Sequence, residues 1–257
     1  MVDDVGITAV HRAIQPGDRF TLFEWIDHAL SPSSTGAGAT TWREAMRLRT
    51  VGDAYPVSDD ERRRWLGDTP KSELTELSLE TLEAPLRAAG LDTASLRQGT
   101  MFTTGGREHV PGVRSLASPR QLLRLLMRIE QGRLVDRFSS LEIKRLLYFT
   151  RGRYRYAVSP ALRDAAVYFK SGSFYRCVEE EGYSCRQYAG NATNVMNSVA
   201  IVENPARPEP GTTQRVYLVA LMSNVLRLNS AADHRDLATE IDRLVASLHP
   251  GTEPGNR

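Results

Sequence analysis

Three β-rich stretches follow one another near the C-terminal end of the chain: DAAVYFKSGSFYRC (Asp164–Cys177), NVMNSVAIVEN (Asn194–Asn204) and RVYLVALMSNVLR (Arg215–Arg227). Taken together they are rich in valine and tyrosine, as pleated, half-buried strands favour. A Pro/Gly loop, PARPEPGTTQ, joins the last two. The pattern predicts an antiparallel meander. An amphipathic helix, HRDLATEIDRLVASLH, closes it, with Leu237, Ile241, Leu244 and Leu248 on one face. Helices first, then strands, then a packing helix define an α+β chain. The expected division is a helical region over residues 1–160 and a strand region over 161–257.

The helical part reads segment by segment. In FTLFEWIDHAL, Phe20, Phe23, Ile26, Ala29 and Leu30 share a helical face. The small, polar run SPSSTGAGAT interrupts, and TWREAMRLRT resumes the helical pattern. Residues 51–72 are polar, with Pro56, Gly67 and Pro70 as breakers, and are expected to be rich in loops. ELTELSLETLEAPLRAAG is a helix ending at Gly90. GTMFTTGGREHVPGVRSLA is expected to be irregular. Ser118 is the N-cap and Pro119 the first residue of the helix PRQLLRLLMRIEQG, which buries Leu122, Leu125, Leu126 and Ile129. SSLEIKRLLYFT follows as another helix. The arginines from Arg120 to Arg155 fall on polar faces and are expected to be solvated.

Composition excludes several classes. The apolar fraction of 41% and charged fraction of 25% belong to an ordinary soluble domain. A net charge of +2 argues against a nucleic-acid partner. No apolar run is long enough to span a membrane. The opening MVDDVGITAVHRAIQ lacks the basic and apolar regions of a signal peptide. The histidines His11, His28, His109, His234 and His249 show no metal-ligand spacing, so no metal and no cofactor is expected. Asn191–Thr193 matches a glycosylation sequon, a pattern common by chance. Cys177 and Cys185 flank a short polar loop, VEEEGYS. Their even count and local spacing favour a disulfide across a hairpin tip, which suits an oxidising compartment; two unrelated thiols are the other reading.

One strand carries a chemical signal. Of 33 basic residues only Lys71, Lys144 and Lys170 are lysines, and Lys170 opens the run Lys170-Ser171-Gly172-Ser173. On a strand Lys170 and Gly172 face one way, Ser171 and Ser173 the other. A glycine within a strand often marks the close approach of a ligand or another backbone. A solvated lysine guarding an edge strand is the plainer reading of so short a motif.

The order of the motifs adds to this. K-[ST]-G on a strand, followed by two strands and a terminal helix, resembles the penicillin-recognising serine enzymes, the serine β-lactamases and D-Ala-D-Ala peptidases. Their motifs run S-x-x-K, S-x-N, then K-T-G or K-S-G. Lys170, Ser171 and Gly172 match the third. Ser33, Ser34 and Thr35 stand where the second belongs, with Thr35 in place of its asparagine. RSLASPRQLLRLLMRIEQGRLVD is similar to the family's helix after the active-site loop. The resemblance covers roughly residues 16–249.

It implies roles for particular residues. Ser33 would relay a proton to the leaving group. Lys170 would raise the positive potential and draw in a substrate carboxylate, which Ser171 would bind. Gly172 would let the substrate lie along the strand. The N–H of Ser173 would supply half an oxyanion hole. Thr35 cannot orient substrate as an asparagine amide would. Glu73, Glu76 and Glu80 have no E-x-x-L-N context and read as a solvated helix face.

The first motif is missing. The residues three before Lys71, Lys144 and Lys170 are Asp68, Leu141 and Val167. The expectation is therefore a β-lactamase-like fold, N-terminally incomplete: a fragment, a mis-started frame or a degenerate homologue, without acyl-transfer activity as it stands. The resemblance further implies export to the periplasm and a small-molecule or peptidoglycan-peptide ligand. Two rival readings are a non-catalytic peptide-binding descendant with the same fold, and an interaction module in which KSG has no chemical role.

Overall fold

The computed structural model describes residues 17, 19–210 and 213–249. The opening Met1–Gln15, where no signal peptide is expected, lies outside them. The chain is α+β and divides into two compact units. The first runs to Gln121 and takes in Gln131–Ser140; the second holds Leu122–Glu130 and the chain from Leu141 onward.

The first unit is mainly helical. Helix α1 (Leu22–Leu30) starts at a reciprocal capping box, in which Glu24 Oε2 accepts from the Thr21 amide at 2.7 Å and Thr21 Oγ1 accepts from the Glu24 amide. Helix α2 (Thr35–Val51) begins inside the small-residue run expected to interrupt it. Ser34 caps it by accepting from the Ala37 amide at 3.2 Å, enough to start a helix despite Gly36 and Gly38. Gly38 is needed there: a Cβ would meet the Phe102 ring at 2.9 Å. Residues 51–72 contain helix α3 (Asp59–Asp68), capped by a second box, Ser58 with Glu61. Helix α4 (Lys71–Ala88) follows, and Gly90 turns out of it with φ 72°. The segment expected to be irregular holds the two-residue strands β1 (Leu96–Arg97) and β2 (Leu116–Ala117) and the short helix α5 (Thr104–His109). Met46, Leu74, Met101 and Val110 form this unit's core, with Trp42, Trp65, Leu66 and Leu77 against it.

Helix α6 (Pro119–Glu130) and helix α7 (Arg137–Tyr148) lead into the second unit. Its sheet is the expected antiparallel meander, in the order β3 (Ala166–Arg176), β4 (Thr193–Asn204), β5 (Arg215–Asn224). The register pairs Phe169 with Ala200, Ser171 with Ser198, and Val202 with Tyr217. One face buries Val167, Phe169, Ala200, Val202 and Val219 with Tyr156, Leu162 and Ala238.

Helix α8 (Ala231–Leu248) covers that face, turned differently from the sequence expectation. Ile241 packs on the core, but Leu237, Leu244 and Leu248 are 46%, 58% and 66% exposed. The inward residues are His234, Ala238 and Asp242. The polar groups set the rotation, because each has a buried partner that would otherwise be orphaned. Asp242 Oδ1 accepts from Asn204 Nδ2 and from the Tyr217 hydroxyl, both at 2.9 Å. The two ring nitrogens of His234 lie 3.0 Å from the hydroxyls of Ser198 and Ser223.

Candidate functional site

Lys170, Ser171, Gly172 and Ser173 lie on β3, an edge strand of its sheet among the described residues. Cross-strand partners fix the faces. Lys170 and Gly172 stand with Val199 and Asn197; Ser171 and Ser173 stand with Ser198 and Met196 on the other side. The carbonyls of Val167, Phe169 and Ser171 accept from the side chains of Arg153, Thr150 and Lys170. These are donors from outside the β3–β4 ladder, so alternate residues of β3 turn their backbone groups to its outer edge. By the same alternation the N–H and C=O of Ser173 belong to that edge.

Gly172 is exposed, and a Cβ built on it would meet nothing within 4 Å. The protein's own packing does not require a glycine there. Diagonal from Lys170 on the same face, the Oδ1 of Asn197 is buried without a hydrogen-bond partner.

The sequence reading missed Arg155. Expected to be solvated with its neighbours, it is instead 2% exposed, in a 3₁₀ turn (Arg155–Val158) just ahead of β3. Its Nη1 donates to the Gly172 carbonyl at 3.2 Å, and its Nε is buried without a partner. The guanidinium carbon lies 4.8 Å from the centre of the Tyr154 ring and 5.6 Å from that of Tyr188. Arg155 and Tyr188 both hold left-handed backbone, φ 65° and 60°. Bulky residues rarely do so without a functional or structural constraint.

Arg155 has no acidic partner among the described residues, and burial weighs against its charge. Burial, and then the positive charge of Arg155, bring the Lys170 ammonium down to about 8. Lys170 Nζ donates to the Ser171 carbonyl at 3.0 Å. Two cations thus stand at one strand, burial disfavours the charge of both, and an anion bound beside Arg155 would offset that cost. Behind them, burial and then Arg155 hold His234 below its ordinary value, so it remains neutral between its two serines. One of these, Ser198, is the cross-strand partner of Ser171.

Ser33 and Thr35 belong to the first unit. Ser33 is exposed at the turn between α1 and α2, with left-handed φ 62°. The turn is fixed on both sides, by the Ser34 amide donating to the His28 carbonyl at 3.0 Å and by the Ser34 cap. Thr35 is the exposed first residue of α2. Glu80, read as part of a solvated face, pairs with Arg49 and Arg87. Cys177 and Cys185 are joined by a disulfide, with their Cα atoms 6.2 Å apart. Among the described residues no cluster of three or more His, Cys, Asp or Glu could hold a metal ion, and no helix is long and apolar enough to cross a membrane.

No family model matches this chain, and neither does any curated protein sequence. Solved structures do match. A β-lactamase from Sphaerobacter thermophilus superposes with a TM-score of 0.54 at 13% identity, over 97% of this chain and 69% of its own. A variant of the last common ancestor of Gram-negative bacterial class A β-lactamases gives 0.52 at 16% identity, over 91% and 67%. The chromosome-encoded β-lactamase of Vibrio parahaemolyticus gives 0.50 at 14%, over 92% and 68%. The chain therefore has a β-lactamase-like fold and spans about two thirds of the length of these structures.

Proposed function

We propose that this chain carries the substrate-binding part of a serine hydrolase of the β-lactamase and penicillin-binding type, which performs acyl transfer on a β-lactam or a D-Ala-D-Ala-type amide. One observation carries the reading: Lys170 and buried, acid-free Arg155 converge on a strand whose Gly172 leaves open space. A carboxylate there neutralises both cations, and Ser171 offers it a hydroxyl. The substrate backbone adds to the edge of β3, with the Ser173 N–H directed at its reacting carbonyl. Ser33 is the proton-relay hydroxyl and Thr35 a substrate contact. The disulfide fits an exported, periplasmic protein.

Acyl transfer also needs a serine activated by a base, and this sequence has no S-x-x-K pair. The chain by itself is expected to bind without turnover. Benzylpenicillin titrated calorimetrically should bind wild type and fail to bind Arg155→Ala, while intact mass remains unchanged. An acyl adduct that disappears in Ser33→Ala would instead make Ser33 the nucleophile. The non-catalytic alternative uses the same cations; diacetyl-Lys-D-Ala-D-Ala binding in preference to penicillin would favour it.

A further inference from the structure

Between Leu141 and Arg163 the sequence holds five arginines and Lys144 against a single acid, Glu142. The whole chain is nearly balanced at +2, so this stretch concentrates its positive charge. Within it Lys144 is tied to Glu130 and Glu203, Arg155 is buried under β3, and Glu142 pairs with Arg145. Arg151 and Arg163 are both exposed.

Large apolar groups stand among them. Leu141, Tyr148, Phe149, Tyr154 and Val158 are each close to half exposed, Phe149 at 50%. Two rings and two guanidinia are in contact: Tyr148 and Phe149 are 5.6 Å apart edge to face, Arg145 lies 5.7 Å from the Phe149 ring, and Arg153 5.7 Å from the Tyr148 ring. Arg153 also borders a hollow of about 380 Å³ with Val158, Ser159 and Arg163, and no acidic residue lines it. Burial lowers the proton affinity of Arg153, and its donors Nη1 and Nη2 hold the Tyr148 and Val167 carbonyls. A folded surface seldom exposes so many large apolar groups within one short stretch of chain.

We infer that this face of the second unit docks on an anionic phospholipid bilayer, with a lipid phosphate in the Arg153–Arg163 hollow. The three chemistries present match three layers of such a surface. Arginines meet the negative headgroups, tyrosine and phenylalanine rings favour the headgroup boundary, and Leu141 and Val158 enter its apolar side. A nucleic acid would use the arginines and rings but leave the aliphatic residues in water. A protein partner would need an acidic surface matching both the hollow and the rings.

Sedimentation with vesicles tests this, using phosphatidylcholine alone or mixed with phosphatidylglycerol. The chain should partition onto the mixed vesicles, remain free of the neutral ones, and dissociate in high salt. Arg151→Glu combined with Arg163→Glu should weaken partitioning by about tenfold or more, since each basic residue near the surface contributes separately. Phe149→Ser should weaken it several-fold without altering the salt dependence. Circular dichroism checks that each variant is folded. Absence of partitioning, equal binding to neutral vesicles, or a charge-reversed variant that binds as wild type would overturn the inference. Binding to polyuridylate without binding to vesicles would overturn it also, and would mark the face as one for nucleic acid.

Discussion

Two lysines meet the same face of β3 a short way apart, and their surroundings are opposite. Near the start of the strand, Lys144 reaches across from α7 to Glu203 at 2.5 Å and Glu130 at 2.8 Å, and lies 4.4 Å from the centre of the Tyr168 ring. The Tyr168 hydroxyl donates to Glu203 at 3.0 Å. Burial pulls the Lys144 ammonium down, but hydrogen bonds to both carboxylates outweigh it and leave the value raised. Two residues beyond Tyr168, Lys170 has Arg155 as its charged neighbour and is brought down to about 8. The first lysine completes a charge balance within the fold. The second stands beside buried Arg155, which has no acidic partner among the described residues, a perturbed pair of the kind that functional sites hold.

The largest expected effect is on the balanced end. Lys144→Met leaves Glu203 and Glu130 partly buried together without their cation. Breaking such a pair costs about 3 kcal/mol, to be read as a lower midpoint in urea unfolding. A loss below about 1 kcal/mol, as for an exposed pair, would remove the contrast between the two lysines.

Lys170→Met should do the reverse, leaving stability unchanged or raising it by about 1 kcal/mol, because it removes a charge that burial disfavours. The pH dependence carries the sign. Folding takes Lys170 from 10.5 to about 8, so between those values the unfolded chain binds more protons and stability rises with pH. That rise should vanish in Lys170→Met. Lys144 acts oppositely, its contribution being lost as pH climbs through its raised value. Unfolding curves of wild type and Lys170→Met that run parallel from pH 8 to 10.5 would mean that Lys170 is solvated after all.

The sequence told these two ends apart unevenly. The meander, its order and the KSG position were legible because valine and tyrosine alternation is strong and strand-specific. The cysteine pair was legible from spacing. Arg155 was not, since nothing local distinguishes it from Arg151 or Arg153; its burial comes from a left-handed turn and two tyrosines, one of them, Tyr188, far along the chain. The Glu130–Lys144–Glu203 cluster joins residues from three elements, and no local pattern announces it. Helix α3 was missed for a different reason. Its S-x-x-E box at Ser58–Glu61 is a local start signal strong enough to form a helix between the breakers Pro56 and Pro70. In α8 apolar periodicity pointed the wrong way, because buried His234 and Asp242 fix the rotation through partners on other strands.

The smallest effect on stability, and the sharpest on binding, is expected at Gly172. Glycine in a strand is normally a liability, costing roughly 0.5–1 kcal/mol relative to alanine through the freedom it loses on folding. Proteins keep it where a side chain would collide, as at Gly38 against Phe102. At Gly172 nothing would collide. Gly172→Ala should therefore fold at least as well as wild type, with a midpoint equal or slightly higher. The new methyl would stand on the open face beside Lys170, where a ligand laid along β3 must approach the backbone. Benzylpenicillin affinity should fall about tenfold or more, the cost of holding such a ligand off the strand by roughly a methyl's width. Affinity that stays at the wild-type level in a stable Gly172→Ala protein would place the ligand elsewhere and leave the Lys170–Arg155 pair without its proposed purpose.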